Sequence, residues 1–174
     1  MGRAVHAVLQ SIDLRDGAGI EATARAQALA EGVPGREREI AALTRSVLAS
    51  PVVRAAAASP RSWREVPVGC TLDGVVLEGF VDLLWESAGG LVVVDYKTDA
   101  IADDTSLARA IERYAVQGAA YALALESVLA RSVARVVFVF AAERGAREVE
   151  VPNLPDAVAR ARALVAGSAT ARSG

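Results

Sequence analysis

The sequence predicts an α/β domain with a central mixed β-sheet flanked by helices, and three observations carry that prediction. Between Arg64 and Thr98, three apolar, β-branched stretches are separated by two turn signals. One of these is Asp73-Gly74, the signature of a two-residue type I′ hairpin. A long helical pattern, Ser106 to Ala130, then leads to a buried strand with VVFVF at its centre. A strand reached through a crossover helix runs parallel to its neighbour, which makes the sheet mixed.

A length of 174 residues, 53% of them apolar, suits a single domain over residues 1–174 with a core of its own. The formal charge of −2 argues against strong independent binding to a polyanion. The single cysteine, Cys70, rules out an internal disulfide and reads as a small hydrophobe on a strand. No apolar run is long enough to span a bilayer and no secretory leader is read, so no membrane partner is expected.

Gly2 to Leu14 reads as a helix with Val5, Val8, Leu9 and Ile12 as its buried stripe. Ile20 to Glu31 is alanine-rich and helical, and Gly32-Val33-Pro34-Gly35 breaks it. Helices are expected again from Arg36 to Ala49 and, after Ser50-Pro51, through Ala58. Strands follow at Arg64–Leu72, from Val75 onward, and after a turn at Ser87-Ala88-Gly89-Gly90. Asp99, Asp103 and Asp104 precede the long helix and suit its N-terminus. Arg135 to Ala142 is the buried strand and Glu148 to Val151 a short edge strand. Asp156 to Val165 is a short helix, and residues 166–174 read as a disordered tail.

Register turns this outline into a site. If Glu86 faces Leu91, Asp82 falls opposite Asp95, and residues directly opposite share a face. Lys97 lies two positions beyond Asp95 and points the same way. Pairing Leu72 with Val75 sets Glu65 opposite Asp82, so three carboxylates form a row with a lysine beside it. Buried like charges repel unless neutralised, and oxygen ligands suit Mg²⁺ or Mn²⁺. The plainer alternative is a solvated row on an open sheet face, with Lys97 pairing with Asp95. Lys97 is the chain's only lysine, and its compact charge is not interchangeable with arginine's planar fork.

These residues resemble the PD-(D/E)XK nucleases, most closely the RecB-like branch. Asp82 followed by Asp95-Tyr96-Lys97 matches the family's acid and D-x-K elements. Gly2-Arg3-Ala4-Val5-His6 resembles its G-x-x-x-H helix, Glu65-Val66-Pro67 its E-x-P strand, and Gln117 to Tyr121 its Q-x-x-x-Y helix. Val81 stands where many members have proline.

The resemblance implies a restriction-endonuclease-like core and a divalent-metal-dependent deoxyribonuclease acting at DNA ends in recombination and repair. It implies Asp82, Asp95, Lys97 and Glu65 as catalytic residues. His6, Asp82, Asp95 and the Tyr96 backbone carbonyl would hold Mg²⁺ or Mn²⁺. Gln117 and Tyr121 would position the active site or a DNA strand. No iron–sulfur cluster is expected, since one cysteine cannot replace four. The expected partners are DNA and a helicase motor in the same polypeptide or in a separate protein, for the chain has no G-x-x-x-x-G-K-[ST] loop. Tethering to a motor would offset weak independent DNA binding. The G-x-x-x-H element begins at residue 2, so the chain reads as a domain excised from a longer polypeptide of the bacterial cytosol or nucleoid. The arginines at 36, 38, 45, 54, 61 and 64 read mainly as a solvated face, with some available to phosphates. The alternatives are a catalytically inactive module of the same fold that handles DNA or acts as a scaffold, and a junction resolvase.

Overall fold

Asp73 and Gly74 have φ of 49° and 75°, the left-handed pair that a type I′ turn requires. They join β1 (Ser62–Leu72) to β2 (Val75–Ser87) with Leu72 opposite Val75. β2 pairs in turn with β3 (Gly90–Lys97), and Glu86 faces Leu91. The turn between them is tighter than the four residues expected: Ser87 pairs with Gly90, leaving Ala88-Gly89 as the loop. Gly90 has φ of 128°, and a Cβ there would come within 2.9 Å of the Ser132 carbonyl oxygen.

The computed structural model describes residues 1–170. Ahead of the sheet lie α1 (Gly2–Ser11), α2 (Ile20–Ala30), α3 (Glu37–Leu48) and α4 (Pro51–Ala58). After β3 come α5 (Asp104–Leu129), β4 (Val133–Phe140), β5 (Arg147–Glu150) and α6 (Leu154–Thr170). α5 opens on a capping box, Asp103 accepting from the Ser106 N–H while Ser106 Oγ accepts from the Asp103 N–H. The strand order is β1-β2-β3-β4-β5, antiparallel except for β3 and β4, which run parallel across the α5 crossover. Among the described residues no single helix is long and apolar enough to cross a membrane.

The sheet buries both faces. Val5, Val8 and Leu9 of α1 join Ile40, Val47 and Val53 over Val92, Val94, Val137 and Val139. On the other side Ala119, Ala122 and Leu123 of α5 cover Val93, Val136 and Phe138, with Ala157 and Ala161 of α6. Alternation along β3 therefore puts Asp95 on the α5 side, in step with Leu91 and Val93.

Two helix ends depart from expectation by about one turn. α1 stops at Ser11 rather than Leu14 because Ile12 is extended and Asp13 Oδ1 takes the Arg15 N–H in a local turn. α6 continues to Thr170, so residues 166–170 of the expected tail are helical; residues 171–174 lie outside the described part.

β1 and β2 carry a break that simple alternation does not foresee. Arg64 donates to the carbonyls of Leu9 and Ile12 at the end of α1, while Val66, two residues on, packs with the α5-side cluster. Val81 and Leu83 likewise belong to opposite clusters. Between them stand Glu65, with φ of 50°, and Asp82. A non-glycine residue in left-handed conformation interrupts the pleat, and such breaks re-aim side chains beside functional sites.

Candidate active site

Asp82 and Asp95, 9% and 4% exposed, are the charged residues in the core among the described part of the chain. Their ladder ends one pair earlier, at Leu83 and Val94, which leaves both carboxylates at the mouth of the β2–β3 pair. Asp82 Oδ2 accepts the Tyr96 N–H at 2.6 Å. Its Oδ1 lies 3.0 Å from His6 Nδ1 on α1. An ionised carboxylate only accepts, so Nδ1 carries the proton and Nε2 is the nitrogen able to ligate. The His6 ring meets Tyr96 edge-on at 5.9 Å.

Asp95 is matched by Lys97, whose Nζ lies 2.5 Å from Oδ2. That contact is an ion pair without hydrogen-bond alignment; the directed bond from Lys97 goes to Gln117 Oε1 at 2.9 Å. Gln117 Nε2 donates to the Tyr121 hydroxyl at 2.8 Å, one helical turn along α5. The site thus draws on both helical layers, with α1 holding Asp82 and α5 holding Lys97.

Burial, followed by the charge of Asp82, pushes the Asp95 carboxyl up to about 6 against the pull of Lys97. Burial and then Asp82 also raise Glu65, which is half-buried. For His6, burial disfavours the charged ring, but the bond and charge of Asp82, helped by Asp95 and Glu65, raise its pKa overall. The Tyr96 hydroxyl is buried without a partner, and its pKa is pushed up first by burial and then by Asp82.

Of the predicted residues, His6, Asp82, Asp95, Tyr96, Lys97, Gln117 and Tyr121 form two short contact chains, and Glu65 joins them through charge. The expected convergence of three acids on one point is not present as the side chains stand: no His, Cys, Asp and Glu group of three among the described residues forms a ligand cluster. The side chains satisfy one another instead, Asp82 with His6 and Tyr96, Asp95 with Lys97. The donor set nevertheless fits a hard divalent cation. Asp95 Oδ2 is buried without an aligned donor, and the charge of Asp82 raises the cost of ionising Asp95.

A model of the PD-(D/E)XK nuclease superfamily matches residues 1–171. The chain belongs to that superfamily. It is similar to an ATP-dependent helicase/nuclease subunit of Desulforudis audaxviator, 32% identical over 154 residues and 76% of this chain. The same-named subunit of Acetivibrio thermocellus is 35% identical over 109 residues, 53% of this chain. The chain spans 12% and 9% of the length of these curated relatives. The crystal structure of a candidate exonuclease from Eubacterium rectale shares the fold, with TM-score 0.50 and 14% identity over 92% of this chain and 64% of that one.

Within this PD-(D/E)XK nuclease domain, sequence reasoning overlooked Tyr114. Its ring centroid lies 4.1 Å from Lys97 Nζ, and Phe138 faces the same ammonium at 5.5 Å. The Tyr114 hydroxyl donates to Asp99, which also binds Arg113. The signal was available, since Tyr114 precedes Gln117 by three residues and shares its helix face. Arg64, grouped with the surface arginines, instead satisfies the last carbonyls of α1.

Proposed function

We propose that this domain is a divalent-metal-dependent deoxyribonuclease that hydrolyses phosphodiester bonds at DNA ends, working beside a helicase motor in recombination and repair. The observation that carries the reading is the buried Asp82–Asp95 pair with half-buried Lys97, whose Nζ is 2.5 Å from Asp95 at the open end of β3. Asp82, Asp95 and the Tyr96 carbonyl would hold Mg²⁺ or Mn²⁺, with His6 and Glu65 completing or extending the set. A bound divalent ion supplies Lewis-acid neutralisation of charge on the phosphate.

The chain's own residues do the rest. Lys97 orients the attacking water and offsets the negative charge that builds on the phosphoryl oxygens. Gln117 aims Lys97, and Tyr121 in turn orients Gln117. His6 fixes the Asp82 carboxylate, and the buried floor under Asp95 keeps the local dielectric low.

The test is cleavage of single- and double-stranded DNA ends by the 174-residue chain in Mg²⁺ and in Mn²⁺. Asp95→Ala and Lys97→Ala should each abolish metal-dependent cleavage while circular dichroism stays unchanged. Undiminished cleavage by either variant would refute the assignment.

A further inference from the structure

Glu65 also lines a second feature, a cleft of about 510 Å³ between the β1 edge and the C-terminal end of α5. Two apolar side chains stand open in its wall, Trp63 at 42% exposure and Leu129 at 44%. Besides Arg64, which bonds the end of α1, the lining holds the guanidiniums of Arg61 and Arg131. Glu86 binds both, one on each carboxylate oxygen, with Arg61 Nε at 2.6 Å. The bond from Arg131, then the charges of both arginines, holds the Glu86 carboxyl below its usual range; counting Arg64 and Glu65 of the same lining, three positive groups stand against two negative ones. A guanidinium held through one nitrogen keeps further donors for another anion. Arg61 also lies over the Trp63 ring, 5.9 Å from its centroid.

An aromatic face beside surplus guanidinium charge suits a ligand that alternates flat bases with phosphates. A base reaches such a face only when it is unstacked from a partner strand. Glu65 belongs to both regions: it lines the cleft, and its carboxyl feels the charges of Asp82 and His6. We propose that this cleft is a subsite for single-stranded DNA, with Trp63 stacking on a base and Arg61 and Arg131 receiving backbone phosphates. The assignment of DNA as ligand rests on the nuclease reading above; the binding itself is measurable without cleavage.

The chain has two tryptophans, and Trp85 Nε1 is buried without a hydrogen-bond partner, so Trp85→Phe removes no hydrogen bond and leaves Trp63 as sole reporter. In that background, with Asp95→Asn and EDTA to block hydrolysis, an oligo(dT) of about ten nucleotides should quench Trp63 emission saturably. Anisotropy of a dye-labelled oligonucleotide should show Trp63→Ala weakening binding on the order of tenfold or more, with Trp63→Phe retaining most of it. Arg61→Gln with Arg131→Gln should weaken binding at low salt and flatten its salt dependence. Absence of quenching, or parent-like binding by Trp63→Ala and the double arginine variant, would overturn the subsite. Equal quenching by a blunt duplex would overturn its single-strand character. A parent chain that fails to cleave yet shows the quench removes the nuclease reading and leaves the subsite standing; cleavage without quenching does the reverse.

Discussion

Asp95 sits where its ionised form is least welcome, and that has a measurable sign. Its carboxyl is raised from 3.8 to about 6, first by burial and then by Asp82. A folded-state pKa above the unfolded value means that the native protein binds the proton more tightly. The stabilisation is fully present below the unfolded pKa and is lost as pH rises through about 6. About two units of difference correspond to about 3 kcal/mol. His6, also raised, extends the loss above its ordinary 6.5. In urea unfolding of the metal-free protein, Asp95 should therefore contribute a fall in stability from about pH 4 through about pH 6, carried on above 6.5 by His6, and Asp95→Asn should flatten the slope and be more stable at the upper end. A parent profile as flat as the variant's would show that Asp95 ionises freely. Lys97 makes a second prediction. Its ammonium fits as a point charge between Asp95, Gln117 and the Tyr114 face. Lys97→Arg keeps the charge but brings a planar fork too large for that seat, so cleavage should fall on the order of a hundredfold or more with little change in melting temperature. Parent-like turnover by this variant would show that only the charge matters.

At the scale of elements, α5 must lie close to the sheet for Gln117 to reach β3. Gly118 allows this: a Cβ there would stand 2.8 Å from Val136 Cγ1 and 3.1 Å from Phe138 Cζ and Val151 Cγ2. Alanine gains up to about 1 kcal/mol in helix propensity, whereas overpacking costs about 1–3 kcal/mol. Gly118→Ala should therefore destabilise the fold, read by urea unfolding, and should lower cleavage by lifting Gln117 from Lys97. A stabilised Gly118→Ala would show that the helix can shift freely. Much of this architecture was legible in the residues. Asp73-Gly74 and the Glu86–Leu91 pairing fixed register, because a period of two leaves few alternatives once one face is apolar. The left-handed Glu65 was not legible: glutamate carries no local preference for positive φ, and tertiary contacts impose it. The Arg64 cap joins residues more than fifty apart in sequence and has no local pattern to announce it.

Across the whole molecule, the site residues were legible as separate signals, whereas their mutual satisfaction was not. His6 from the first helix, acids from the hairpin strands and Gln117 from the crossover helix meet only after both layers close on the sheet. The folded chain therefore holds buried charge whose compensation bears on global stability. The charge of Asp82 disfavours ionisation of Asp95, and Asp95 Oδ2 lacks an aligned donor. A cation that binds only the folded state stabilises it by mass action, about 2.7 kcal/mol at a hundred times its dissociation constant. For a domain of this size, 1 kcal/mol shifts the melting temperature by about 2–4 °C. Millimolar Mn²⁺ near neutral pH should therefore raise the melting temperature by several degrees. The Asp95→Asn chain should behave oppositely in both arms, because the substitution removes the repulsion together with the ligand. Its metal-free melting temperature should exceed the parent's, and Mn²⁺ should leave it nearly unmoved. Differential scanning fluorimetry of the two proteins, with EDTA or with Mn²⁺, reads both arms at once. Equal shifts in parent and variant would place the cation elsewhere on the surface and separate the buried acids from metal binding.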